Sequence, residues 1–213
     1  SPLLADRLAP CSSNVALLPN GVNFPLFSRP SDLSYDPLPQ TAGPVLGWAG
    51  TIHRELDLSP ILYAARERPG WTFLLLGRRE ENPLLRRLSR LSNVMLAGPC
   101  PLVEVPDYLG HCQVLLDLLR DSQPYNDVVP PRLYEYLSTG KPIVSMLWPE
   151  QVELFPDVVY GAHSPEEFLH LCQQALAEDP GWVDQRRRDY GAAAAWSRRA
   201  DEVKRILVTA GLL

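Results

Sequence analysis

Trp71-Thr72-Phe73-Leu74-Leu75-Leu76-Gly77 is a continuous apolar run that does not alternate in polarity. A strand with one face in water alternates, whereas a strand covered on both faces reads as an unbroken apolar run. The closing glycine suits a turn into the next element. Five other runs have the same texture. Upstream lies Val45-Leu46-Gly47-Trp48-Ala49-Gly50. Downstream lie Asn93-Val94-Met95-Leu96-Ala97-Gly98, Val114-Leu115-Leu116-Asp117-Leu118-Leu119, Pro142-Ile143-Val144-Ser145-Met146-Leu147 and Asp157-Val158-Val159-Tyr160-Gly161.

Helical spacing fills the intervals, over Leu56 to Arg68, Asn82 to Leu91, Val103 to His111 and Pro131 to Thr139. The last of these stops at Gly140 with Pro142 just beyond, a C-terminal stop signal. Ser164-Pro165-Glu166-Glu167 starts another helix: Ser164 caps, Pro165 takes the first helical position and Glu167 completes a capping box. Trp182 to Leu207 is helix-prone throughout, with Ala192 to Ala195 in its middle. Strand and helix in alternation predict an α/β fold, a doubly wound parallel sheet with helices on both faces. Ligands of such a sheet bind outside the carboxyl ends of its strands. Residues 1–44 differ: one short strand-like piece, then a Pro-, Ser- and Asp-rich stretch from Pro25 to Pro44 that reads as a linker or surface wrap.

Bulk properties exclude several classes of function. The chain has 213 residues, 46% apolar and 21% charged, with a net charge of −5. Only two of its basic residues are lysines, and the longest basic run is Arg186-Arg187-Arg188, so a nucleic-acid partner is not expected. Cys11, Cys100, Cys112 and Cys172 are scattered, with no Cys-x-x-Cys pair, and read as reduced thiols of a cytoplasmic protein. No apolar stretch approaches the roughly 20 residues of a membrane span. The four histidines show no metal-ligand spacing, and no metal or other cofactor is expected.

Chemistry is then sought in the loops after the apolar runs. Pro130 and Pro131 have no N–H, so the first free amides of the helix after the fourth run belong to Arg132, Leu133 and Tyr134. A helix N-terminus with free amides attracts anions. Arg132 adds a cation whose donor fork suits phosphate. Glu135, one turn in, either complements the helix dipole or accepts hydrogen bonds from a ribose diol. Gly47-Trp48-Ala49-Gly50-Thr51 allows close backbone approach of a ligand or is simply a tight turn. Arg78 follows the second run and is either a base or phosphate contact or a surface arginine. Asp117 stands inside an apolar run and needs a partner that the sequence does not name.

Asn20-Gly21-Val22-Asn23, then Leu46-Gly47-Trp48-Ala49-Gly50, then Asn93-Val94-Met95-Leu96-Ala97-Gly98, then Pro131-Arg132-Leu133-Tyr134-Glu135-Tyr136-Leu137-Ser138-Thr139-Gly140-Lys141-Pro142 resembles the group 1 glycosyltransferases. The likeness runs from about residue 15 to 207 and is strongest to the branch that makes teichuronic-acid-type and other cell-surface polysaccharides. These are retaining enzymes of two Rossmann-like domains, the GT-B fold. The resemblance implies that this chain is the C-terminal, nucleotide-sugar-binding half, with residues 1–44 the end of the interdomain region and 45–213 a Rossmann-like domain closed by a long C-terminal helix.

It further implies a partner, an acceptor-binding N-terminal domain preceding Ser1, without which the chain does not turn over. The full enzyme would act in the cytoplasm, in places at the inner face of the membrane. In the family's Glu-x7-Glu motif the second Glu holds the donor ribose and the first contacts the transferred sugar. These fall on Glu135 and, with a shorter carboxylate, on Asp127. The phosphate loop maps to Gly50 and Thr51, but the family's Arg and Lys there are replaced by Thr51, His53 and Arg54, which leaves Arg132 as the substitute. Base contacts map to Arg78 and to Cys100 through Leu102. A nucleotide-sugar epimerase of the same fold and a non-catalytic α/β binding module remain as alternatives.

Overall fold

The computed structural model describes residues 2–12, 14–30, 38, 41–118, 129–146 and 154–212. All six apolar runs are strands: β1 Val45–Ala49, β2 Thr72–Leu76, β3 Val94–Ala97, β4 Val114–Asp117, β5 Ile143–Ser145 and β6 Val159–Gly161. Every pairing is parallel, in the order β3-β2-β1-β4-β5-β6. Side chains leave a strand alternately to its two faces, and here both faces are buried. Leu46, Trp48, Phe73, Leu75, Val114, Leu116 and Val144 enter one core. Val45, Leu74, Leu76, Leu115, Ile143 and Val159 enter a second core on the opposite face.

Nine helices are described: α1 Pro2–Leu8, α2 Phe24–Ser28, α3 Ser59–Glu67, α4 Leu85–Leu88, α5 Val105–Gly110, α6 Pro131–Thr139, α7 Pro165–Leu176, α8 Trp182–Ala193 and α9 Trp196–Thr209. The first core is roofed by α3 and α7 through Ile61, Leu62, Phe168, Leu169 and Cys172. The second is roofed by α2, α5 and α6 through Phe27, Leu109, Leu133, Tyr136 and Leu137. The doubly wound α/β architecture expected from the sequence is therefore the observed one.

Helix α6 spans the expected residues, and Gly140 ends it in the left-handed conformation, φ 81°, which a side chain would strain. Lys141 donates to the carbonyls of Gly110 and Cys112, so it closes the end of α5. At the start of α7 the Ser164 hydroxyl accepts from the Glu167 N–H at 3.1 Å, but Glu167 answers on the His163 N–H rather than on that of Ser164. Helix α4 is shorter than the expected 82–91. The Asn82 side chain donates to the carbonyls of His53 and Leu56 and accepts from the Leu84 N–H, so those residues brace the loop after β1 instead of starting a helix.

The expected single helix from Trp182 is two. It breaks at Ala194 and Ala195, where Val22 inserts: the Val22 N–H donates to Ala194 O at 2.9 Å and the Trp196 N–H donates to Val22 O at 3.1 Å. Gly21 permits this, because a Cβ there would meet the Trp196 ring 2.5 Å away. Val22 and Phe27 are buried in the second core. Among the described residues no helix is long and apolar enough to cross a membrane.

Candidate functional site

Neighbouring strands β1 and β4 send the chain to opposite sides. After β1 it enters α3 over the first core, and after β4 it enters α6 over the second. Their carboxyl ends therefore part and leave a crevice, the topological switch point where open α/β sheets bind ligands. Its lip is the Gly50–Thr51 turn. A Cβ on Gly50 would lie 2.7 Å from Arg132 Nη1 and 3.0 Å from the Trp48 ring, so glycine lets the backbone close over both. A Cβ on Gly77 would overlap the Gly50 carbonyl, so the loop after β2 presses on the same turn.

Arg132, in the first turn of α6, reaches under that turn. Its Nε donates to Asp117 Oδ1 at 3.0 Å, Nη2 lies 2.9 Å from the same oxygen, and Nη1 donates to Ala49 O at 3.3 Å. The guanidinium stacks on Trp48 at 4.9 Å from the ring centroid. Burial is the largest single influence and works against its charge, but Asp117, helped by Tyr136 and Glu135, holds the Arg132 pKa above its ordinary value. The sequence suggested a cation suited to phosphate; the structure supplies it with a counter-charge. It also names the partner that Asp117 needed. The Asp117 carboxylate is fully buried, while the Arg132 side chain keeps 17% of its surface exposed.

Glu135 lies one turn further along α6, half-buried, with no hydrogen bond or ion pair to another side chain among the described residues. Burial raises its pKa, and the nearby Arg132 charge draws it part of the way back. Tyr136 accepts a hydrogen bond from the Ala49 N–H at 2.8 Å, which ties α6 to the end of β1. Burial pushes the Tyr136 phenol far above its ordinary range.

Other expected site residues are placed as follows. The Leu133 N–H is not free, since it donates to Pro130 O at 3.0 Å, and the Leu133 side chain is core. Tyr134 turns its ring away, edge-on to Phe155 at 5.8 Å, and lines a separate cavity of about 460 Å³ with Leu17, Tyr190 and Arg199. Thr51 sits half-buried in the β1 turn. Arg78 is exposed and pairs with Glu80 at 2.8 Å. Cys100 is half-buried after β3, its thiol pKa raised by burial and by Glu104, and Leu102 is exposed on the following 3-10 turn. Asp127 lies outside the described residues. Among those described, no three His, Cys, Asp or Glu side chains gather as metal ligands.

Residues 54–204 match the family described as "Glycosyl transferase-like". The chain belongs to that family. It is 33% identical over 181 residues to a Bacillus subtilis (strain 168) protein named as a teichuronic acid biosynthesis glycosyltransferase, TuaH, a match covering 81% of this chain and 45% of that protein. Among solved structures, Anabaena HepE in complex with UDP and glucose superposes with a TM-score of 0.67 at 16% identity, over 93% of this chain and 57% of that one. WaaG, a glycosyltransferase of lipopolysaccharide biosynthesis, superposes at 0.61 and 14% identity, over 91% of this chain and 55% of the other. The chain thus spans about half the length of these relatives, and the likeness to solved structures carries the fold alone.

Within this glycosyl transferase-like chain, three participants escaped sequence reasoning: Asp117 as the partner of Arg132, the Trp48 ring beneath it, and the Tyr136 hydroxyl on β1. A signal existed for the first. An Asp inside an unbroken apolar run, followed fifteen residues later by an Arg at a helix start, is a charge pair that only a crossover into the neighbouring layer can bring together.

Proposed function

We propose that this chain is the donor-binding half of a glycosyltransferase that moves a sugar from a nucleotide-sugar to an acceptor, with retention, in surface polysaccharide or glycoconjugate synthesis. One observation carries the reading: a half-buried Glu135, without a side-chain partner among the described residues, and the aimed Arg132 stand together at the switch point, under a glycine turn that admits a close ligand. A ribose diol supplies two hydroxyl donors for the Glu135 carboxylate. The diphosphate faces Arg132 and the backbone of Gly50 and Thr51. As the bond between the anomeric carbon and the diphosphate oxygen breaks, negative charge grows on the diphosphate, and donors fixed in advance stabilise it. The acceptor hydroxyl oxygen takes its place on the anomeric carbon, its proton is released, and a nucleoside diphosphate departs.

In this reading the donor's charge is met by Arg132 and backbone amides rather than by a metal. The acceptor is held by an N-terminal Rossmann-like half, which is consistent with a chain spanning 45% of its TuaH relative. The whole enzyme works in the cytoplasm, with its acceptor at the inner membrane face. Asp127, Arg78, Cys100 and Leu102 keep their assigned sugar and base roles. UDP is the first donor nucleotide to test, since it occupies the HepE relative. Calorimetric titration with UDP and GDP decides the matter: one of them binds, at one site per chain. A folded chain that binds neither overturns the reading in favour of a non-catalytic α/β module.

A further inference from the structure

Asp117 is a fully buried carboxylate to which the proposed reaction assigns no task. Its Oδ1 takes both Arg132 Nε at 3.0 Å and Nη2 at 2.9 Å. Its Oδ2 is buried and has no hydrogen-bond partner among the described residues. An unsatisfied oxygen on a buried carboxylate is costly, and Arg132 is the group that pairs with Asp117 in the core. Arg132 is constrained in turn. Of the five N–H donors of a guanidinium, Nε serves Asp117 and one on Nη1 serves Ala49 O, while Nη2 lies 2.9 Å from the same Asp117 oxygen. Donors on the two Nη atoms are left over for a ligand. Trp48 covers one face of the group.

Resting on the donor-site reading, we propose that Asp117 is a positioning residue and internal counter-anion: it holds Arg132 so that its remaining Nη donors serve the diphosphate, and it cancels part of the charge that the diphosphate meets. The chemistry calls for such a balance. A buried, uncompensated guanidinium would hold the nucleoside diphosphate product tightly, and a transferase must let it go. Glu135 adds a second negative charge near Arg132, so the Arg132 charge is already compensated before the donor arrives.

Asp117→Asn separates aim from charge. The amide oxygen still accepts from Nε, but the counter-charge is gone. In the free chain Arg132 then loses its bonded counter-anion and keeps only the nearby Glu135 carboxylate, with which it forms no ion pair, and a bound diphosphate makes up the loss. Calorimetry on the 213-residue chain compares UDP with uridine, whose affinity does not involve a diphosphate. The expected result is UDP affinity raised on the order of tenfold, with uridine unchanged and a steeper fall of UDP affinity with salt. UDP affinity that stays the same, or that moves by the same factor as uridine, overturns the proposal. If circular dichroism shows that Asp117→Asn does not fold, the double variant D117N/R132Q removes both charges. UDP should then bind about tenfold more weakly than to the parent chain, with uridine again unchanged, and equal UDP affinity overturns the proposal. A parent chain that binds no nucleotide removes the donor-site reading and this inference with it. A parent chain that binds UDP while the variants show no diphosphate-specific change removes this inference alone.

Discussion

Glu135 is half-buried beside a cation with which it forms no ion pair. Burial raises its pKa above the ordinary carboxylate range, and Arg132 only partly offsets that. The sign of its effect on folding follows. A carboxyl whose folded pKa is raised contributes stability below its unfolded value, and that contribution is lost as pH rises through the folded value. Ligand binding has the opposite slope. A ribose diol donates to the ionised carboxylate, so nucleoside affinity should rise with pH through the raised Glu135 titration and level off above it. Glu135→Gln keeps the shape and removes the titration. Hydrogen bonds to a charged group contribute about 1.5–3 kcal/mol, so uridine affinity should drop tenfold or more at neutral pH and become flat across mildly acidic solution. Titrations of both proteins over that range check this. A variant that binds uridine like the parent chain would show that Glu135 only complements the helix dipole.

At the scale of elements, one buried side chain ties α8 to three other parts of the fold. Arg187 is fully buried. It donates from Nε to Val158 O at 2.9 Å and from Nη1 and Nη2 to the two Glu178 oxygens at 2.6 and 2.7 Å, and a further Nη1 donor reaches Gly140 O at 3.3 Å. Tyr160 of β6 donates to the same Glu178 at 2.8 Å. One guanidinium therefore joins α8 to the edge of the sheet, to the loop after α7 and to the end of α6. Breaking a buried pair by removing one partner costs about 3–5 kcal/mol, because the other charge stays buried. Arg187→Met should lower urea-measured stability by that amount, and E178L/R187M should recover part of it. A single variant within about 0.5 kcal/mol of the parent chain would show that water, not Arg187, solvates Glu178.

The same scale explains what was legible in the sequence. The strands announced themselves because burial on both faces leaves few polar positions, and α6 because prolines and Gly140 act through local backbone geometry. The break at Ala194 could not be read locally. Alanine is the best helix former, and the interruption is imposed by Val22, from the other end of the chain. Asp117 with Arg132, and Tyr136 with Ala49, were hidden for the same reason, since each pair joins residues that only the crossover between layers makes neighbours.

Across the whole molecule, the crevice is assembled from three distant stretches, residues 48–51, Asp117 and Arg132 through Tyr136, each rooted in one of the two cores. A nucleotide bound there needs both cores intact and has no site on the unfolded chain. Binding should therefore appear in full as global stability. Free ligand at a hundred times its dissociation constant adds about 2.7 kcal/mol. For a domain of 150–250 residues, that corresponds to a rise in Tm of roughly 5–10 °C. UDP and uridine, each at a hundredfold excess over its own calorimetric constant, should give matching shifts in a thermal melt, because the thermodynamic linkage depends only on that ratio. Arg187→Met lies away from the crevice, so it should melt lower but keep the same ligand-induced rise. Calorimetric binding of UDP without any rise in Tm would place the nucleotide outside the crevice, on a surface that the unfolded chain also offers.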